Sequence, residues 1–127
     1  MPAVSKTILV VDDESGIREV LKERFEAIGL RCLTAADGAE ALEVARTEHP
    51  SLIVLDLVMP VMDGLSVYRA LKESDTTRDI RIVVYSAQDP ETIMEGGVDA
   101  LEIVDFVLKP LDLKSLTFLV NKTLNAV

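Results

Sequence analysis

The chain has 127 residues and a formal net charge of −9 at pH 7, with 49% hydrophobic and 28% charged residues. That length sets one domain with room for a packed core, and the acidic balance excludes a broad basic surface for nucleic acid. One cysteine, Cys32, excludes an internal disulfide, and no run approaches the roughly 18 apolar residues of a membrane span.

Thr7 to Val11 (TILVV) is a short apolar run that ends on Asp12-Asp13-Glu14 and reads as a strand. Ser15 is placed to cap the helix that follows. Ile17, Val20, Leu21, Phe25 and Ile28 keep helical spacing on its apolar face, Arg18, Lys22, Glu23 and Glu26 take other faces, and Gly29 stops it. Arg31 to Ala35 is a second strand. Asp37-Gly38 turns the chain into a helix over Ala39 to Thr47, with Ala41, Leu42 and Ala45 on a small apolar face. Leu52-Ile53-Val54-Leu55 then runs straight into Asp56. Four apolar residues between Pro50 and Pro60 describe a central strand buried on both sides. The lone His49, beside Pro50, is expected at the surface.

Asp63 can cap a third helix that turns Leu65, Tyr68 and Leu71 inward. Glu73 to Asp79 is a polar loop, and Ile80 to Tyr85 is a fourth strand ending at Ser86-Ala87. Pro90 suits the first turn of a fourth helix, which Gly96-Gly97 interrupts at about 1 kcal/mol per glycine. Val104 to Leu108 is the fifth strand and leads to Lys109-Pro110. The last helix starts near Asp112, with Leu113, Leu116, Val120, Thr123 and Leu124 on one face. Phe118 and Leu119 lie partly off that stripe, as the edge of a wide core face or as partner contacts.

Five strands alternating with helices imply right-handed crossovers and an α/β fold. The expected architecture is a doubly wound five-stranded parallel sheet of order 2-1-3-4-5, one domain over residues 1–127. In such a sheet the carboxyl ends of all strands share one edge. Asp12 and Asp13, Asp56, Ser86 and Lys109 all stand at those ends, and the first and third strands are neighbours. Asp12, Asp13 and Asp56 should therefore converge. Two carboxylates about 5 Å apart repel by roughly 3 kcal/mol at an effective dielectric near 20. A hard divalent cation with oxygen ligands, such as Mg²⁺, relieves that repulsion. A carboxylate in such a place can attack phosphorus, with Lys109 stabilising the phosphoryl charge and Ser86 donating a hydrogen bond to it.

VVDDE at 10–14, LDLVMPVMDG at 55–64, YSA at 85–87 and FVLKP at 106–110 together resemble the receiver domain of two-component response regulators, chemotaxis receivers among them. The resemblance covers essentially the whole chain. It implies a flavodoxin-like (βα)5 three-layer sandwich in which Asp56 accepts a phosphoryl group from a phosphohistidine on a sensor histidine kinase or a histidine phosphotransfer protein. It implies that Asp13 ligates Mg²⁺ directly and Asp12 through a water, with Asp56 and the backbone carbonyl of Val58 completing the set. Ser86 would be the switch hydroxyl, Phe106 the switch aromatic and Lys109 the phosphate partner, before a cis Lys109-Pro110 bond. The implied role is signalling in the cytoplasm, not enzymatic turnover of an external substrate. The message would pass to a downstream effector protein through the face formed by the fourth helix, the fifth strand and the last helix. No membrane or direct nucleic-acid contact is implied, and the chain would be a monomer or a weak dimer. One departure stands out. Receivers commonly carry Gly-Ala just before the fifth strand, where this chain has Glu102-Ile103-Val104 and its glycine pair lies earlier.

Other readings remain at this stage. An aspartyl phosphatase of the haloacid dehalogenase type would place a second Asp two positions after the first, where Val58 stands. A flavodoxin-like electron carrier would have a phosphate cradle after the first strand, where Asp12-Asp13-Glu14 repels phosphate. A receiver-like scaffold that is never phosphorylated would have lost the acidic pair or Lys109.

Overall fold

The computed structural model describes residues 6–56, 64–86, 105–108 and 113–125. Five strands form one parallel sheet in the order β2-β1-β3-β4-β5, as the alternation of elements predicts. They are β1 (Thr7–Val11), β2 (Arg31–Ala35), β3 (Leu52–Leu55), β4 (Arg81–Ser86) and β5 (Asp105–Leu108). The helices are α1 (Ser15–Ala27), α2 (Gly38–Glu48), α3 (Gly64–Glu73) and a C-terminal helix (Leu113–Asn125). The expectations for Asp63, Pro90 and Gly96-Gly97 fall outside the described residues.

Strand side chains alternate, so each central strand feeds two cores. Leu9 and Val11, Ile53 and Leu55, and Ile82 and Val84 pack with Ala41 and Ala45 of α2 and with Val67, Tyr68 and Leu71 of α3. Ile8 and Val10, Leu52 and Val54, and Val83 and Tyr85 pack with Leu21 and Phe25 of α1 and with Leu116, Val120 and Leu124 of the C-terminal helix. Burial on both faces accounts for the unbroken apolar runs in β1 and β3.

Local chemistry sets the element ends. Asp37 caps α2 by accepting from the Glu40 N–H at 2.9 Å, and the Glu40 carboxylate reaches back to the Ala36 N–H at 2.9 Å. At the end of α1 the Leu30 N–H donates to the Phe25 carbonyl and the Gly29 N–H to the Glu26 carbonyl. Gly29 sits at φ +92°, so this is a Schellman stop that needs the missing Cβ. After α3 the buried Thr77 hydroxyl donates to the Leu71 carbonyl at 2.7 Å and ties the polar connection to the helix end.

Several expectations are corrected. Ser15 is the first helical residue, not the cap; Glu14 holds the cap position with no side-chain bond. Val20 and Ile28 were expected inward on α1 but are 46% and 43% exposed; Leu21 and Phe25 are the buried residues of α1, with Ile17 and Leu30 packed partly against the same core, which the C-terminal helix shares. Val67 joins the α3 core face. β4 starts one residue later than its apolar run, at Arg81, and Val104, the expected start of β5, lies outside the described residues. The polar connection starts at Ser74, because Glu73 closes α3. His49 is exposed, as expected, in a left-handed conformation at the end of α2.

Cys32 is free and buried. Burial, and then the charge of Glu26, push its thiol from an ordinary 9.0 up to about 12, with Lys22 pulling the other way. Between these values the unfolded chain has lost a proton that the folded chain keeps, so the thiol's contribution to stability falls as pH rises through that window. Urea denaturation at about pH 8 and about pH 10 is expected to show Cys32→Ala losing roughly 1 kcal/mol less than the parent chain. An equal loss in both proteins would refute it.

Candidate functional site

β1 and β3 pair in register, with Val11 opposite Leu55. The next residue of each strand is therefore Asp12 beside Asp56, and the Asp56 N–H donates to the Val11 carbonyl at 3.0 Å. Continuing the alternation from Ile8 and Val10, and from Leu52 and Val54, turns both residues to the same side. Asp12 is 2% and Asp56 4% exposed, whereas Asp13 faces solvent. One carboxylate oxygen from each of Asp12, Asp13 and Asp56 lies within 4.8 Å of the others. The convergence expected across 44 residues of chain is present.

The cluster is held from below. The Asp12 N–H donates to the Ala35 carbonyl of β2 at 3.2 Å. Its carboxylate accepts the Glu14 N–H at 2.9 Å, and its carbonyl accepts from the Arg18 guanidinium at 2.8 Å. Arg18 is the residue that sequence reasoning passed over. Its helical phase places it off the apolar stripe of α1, and only the fold brings it back over the end of β1.

Burying carboxylates is costly unless charge is supplied to them. Three closely spaced carboxylates, two of them buried, form an all-oxygen donor set. That set fits a hard cation such as Mg²⁺, which takes one or two carboxylates and keeps several waters. The single histidine is exposed and at the end of α2, so nitrogen ligation has no source here.

The other expected site residues are placed less fully. Ser86 ends β4 opposite Leu108 of β5, and Phe106 pairs with Val84. Since Val84 is itself opposite Leu55, the Ser86 backbone is at the same sheet edge as Asp56. The side chains of Ser86 and Phe106 are not among those described, and Val58, Lys109 and Pro110 lie outside the described residues.

A parallel sheet in this order, with an acidic cluster at the carboxyl ends of its first and third strands, defines a doubly wound α/β domain with a candidate site at its topological switch point. The sequence profile of the response regulator receiver domain matches residues 8–121, and the chain belongs to that family. It takes part in two-component signalling as a receiver domain. It is 40% identical over 121 residues to "Probable transcriptional regulator ycf27" of Porphyridium aerugineum, a match covering 94% of this chain and 48% of that protein. The chain thus spans about half the length of the curated relatives it matches. Among solved structures, a response regulator receiver protein from Pseudomonas putida superposes with a TM-score of 0.84 at 32% identity, covering 95% of this chain and 99% of that one. Vibrio cholerae chemotaxis protein CheY4 superposes with a TM-score of 0.84 at 27% identity, covering 94% and 99%. Among the described residues no helix is long and apolar enough to cross a membrane.

Proposed function

We propose that Asp56 is the phosphoacceptor of this receiver domain. The observation that carries the reading is the in-register pairing of β1 with β3, which sets buried Asp56 beside buried Asp12 with Asp13 in reach. A carboxylate oxygen of Asp56 attacks the phosphorus of a phosphohistidine on a sensor histidine kinase or histidine phosphotransfer protein. A P–O bond forms, the P–N bond breaks, and the imidazole leaves with the electron pair. Asp13, Asp12, Asp56 and the Val58 carbonyl would hold Mg²⁺, which when bound supplies positive charge to the transferring group. Lys109 pairs with the phosphoryl oxygens and Ser86 donates to one of them. Phosphorylation adds roughly 1.5 to 2 negative charges at Asp56. Ser86 moves toward that charge and Phe106 takes the space it leaves, which alters the partner face at β5 and the C-terminal helix.

On this reading residues 1–127 act as one receiver unit in the cytoplasm. The unit catalyses only its own phosphotransfer and dephosphorylation, and it signals by contact with an effector. Its net charge of −9 supports no direct contact with nucleic acid.

The test is incubation with acetyl phosphate and Mg²⁺ followed by intact mass. One phosphoryl adduct is expected on the native chain and none on Asp56→Asn. No adduct on the native chain, or an adduct that survives Asp56→Asn, would overturn the proposal.

A further inference from the structure

Residues 13–16 carry the chain from β1 into the first turn of α1, and all four are exposed. A Cβ added at Gly16 would meet nothing within 4 Å. Packing therefore does not hold this turn. Yet Asp13 has to bring a carboxylate oxygen within 4.8 Å of those of Asp12 and Asp56. Asp13 accepts no hydrogen bond among the described residues, so its place is set through the backbone.

The hold on that backbone is polar and centres on Arg18. Its N–H donates to the Glu14 carbonyl at 3.1 Å, and its guanidinium donates to the Asp12 carbonyl at 2.8 Å. The Glu14 N–H donates in turn to the Asp12 carboxylate at 2.9 Å. One half-buried residue thus closes the turn on both sides of Asp13. The peptide unit is planar from one Cα to the next. Fixing the Asp12 carbonyl therefore fixes the plane that ends at the Asp13 Cα. Among the described residues Arg18 forms no ion pair. Beside a carboxylate cluster, its guanidinium takes a backbone carbonyl and leaves the carboxylate oxygens to a cation.

We propose that Arg18 is the positioning residue of the cation site. It acts through the Asp12–Asp13 peptide, which it holds so that the Asp13 carboxylate stands where it can share a cation with Asp12 and Asp56. The inference rests on the reading of this cluster as a Mg²⁺ site. Groups that orient metal ligands in this way typically change metal affinity by about 10–100-fold when lost.

The test is a Mg²⁺ titration of the full chain, followed by the amide NMR shifts of Asp12, Asp13 and Glu14. Arg18→Met keeps the aliphatic stem and removes the donor; it is expected to weaken Mg²⁺ binding at least about tenfold. Arg18→Lys keeps a charged donor and is expected to recover most of that loss. Charge alone predicts the opposite sign, because removing a cation beside the site favours Mg²⁺. Thermal melting in EDTA checks that both variants are folded. Arg18→Met binding Mg²⁺ as tightly as the parent chain, or more tightly, overturns the proposal. A parent chain that binds no Mg²⁺ overturns it together with the reading of the cluster. A parent that binds Mg²⁺ but takes no phosphoryl adduct overturns the role of Asp56 alone, and a weakened Arg18→Met then still supports the positioning role.

Discussion

The Asp13→Asn variant will melt above the parent chain in EDTA and below it in excess Mg²⁺. The first half follows from repulsion alone. Asp13 brings a third carboxylate to within 4.8 Å of Asp12 and Asp56, and removing its charge relieves the folded state more than the unfolded one. Asp13 is exposed, so solvent screens the gain to about 1 kcal/mol or less, a few degrees in Tm for a chain this size. The second half follows from linkage. A ligand at 100 times its Kd stabilises the fold by about 2.7 kcal/mol, and a cluster without its exposed carboxylate forfeits most of that. Calorimetry of both proteins in both buffers reads the crossing directly. A variant that is less stable than the parent in EDTA would mean that Asp13 is held by contacts that outweigh the repulsion.

Phe25→Ala carries the largest expected cost in stability, about 3–5 kcal/mol. Phe25 is fully buried between α1, the sheet and the C-terminal helix, where Leu21, Ile8 and Val120 leave little room for collapse into the gap. Against a total stability of about 5–15 kcal/mol, this removes a large share and leaves the variant partly unfolded at modest urea concentrations. Val20→Ala on the same helix, at a half-exposed position, is expected to cost less than about 1 kcal/mol. Urea titration of the two variants compares a fully enclosed side chain with one on the same helix that the core does not enclose. Similar midpoints would contradict the burial assigned to Phe25.

The strands were legible because burial on both faces leaves no room for polar residues, so TILVV and LIVL announce themselves and stop where the sheet edge begins. Asp12 and Asp56 were legible for the same reason, each being the first polar residue after a closed run. Val20 and Ile28 were misjudged because spacing tells which residues share a helix face but not how wide a face the sheet covers. Ser15 was misjudged because the Asp12 carboxylate already takes the Glu14 N–H and draws the helix start forward. Arg18 could not be found by periodicity, since its partner is a backbone carbonyl six residues earlier that only the turn after β1 brings within reach.

The strand order has a consequence for how the chain is made. β2, β1 and β3 are neighbours at one end of the sheet and are also the first three of the five in chain order, so they leave a ribosome before β4 and β5. They can pair, with α1 and α2 on opposite faces, before α3 and β4 have emerged, and the three carboxylates then meet while the sheet is only half built. During that interval β3 is an open edge, its four apolar residues lacking the neighbouring strand, Ile53 and Leu55 the α3 layer, and Leu52 and Val54 the C-terminal helix, all of which later enclose them. Open apolar edges recruit other chains. The stretch that ends on Asp56 is therefore also the place where a nascent chain is most exposed to mispairing until β4 arrives.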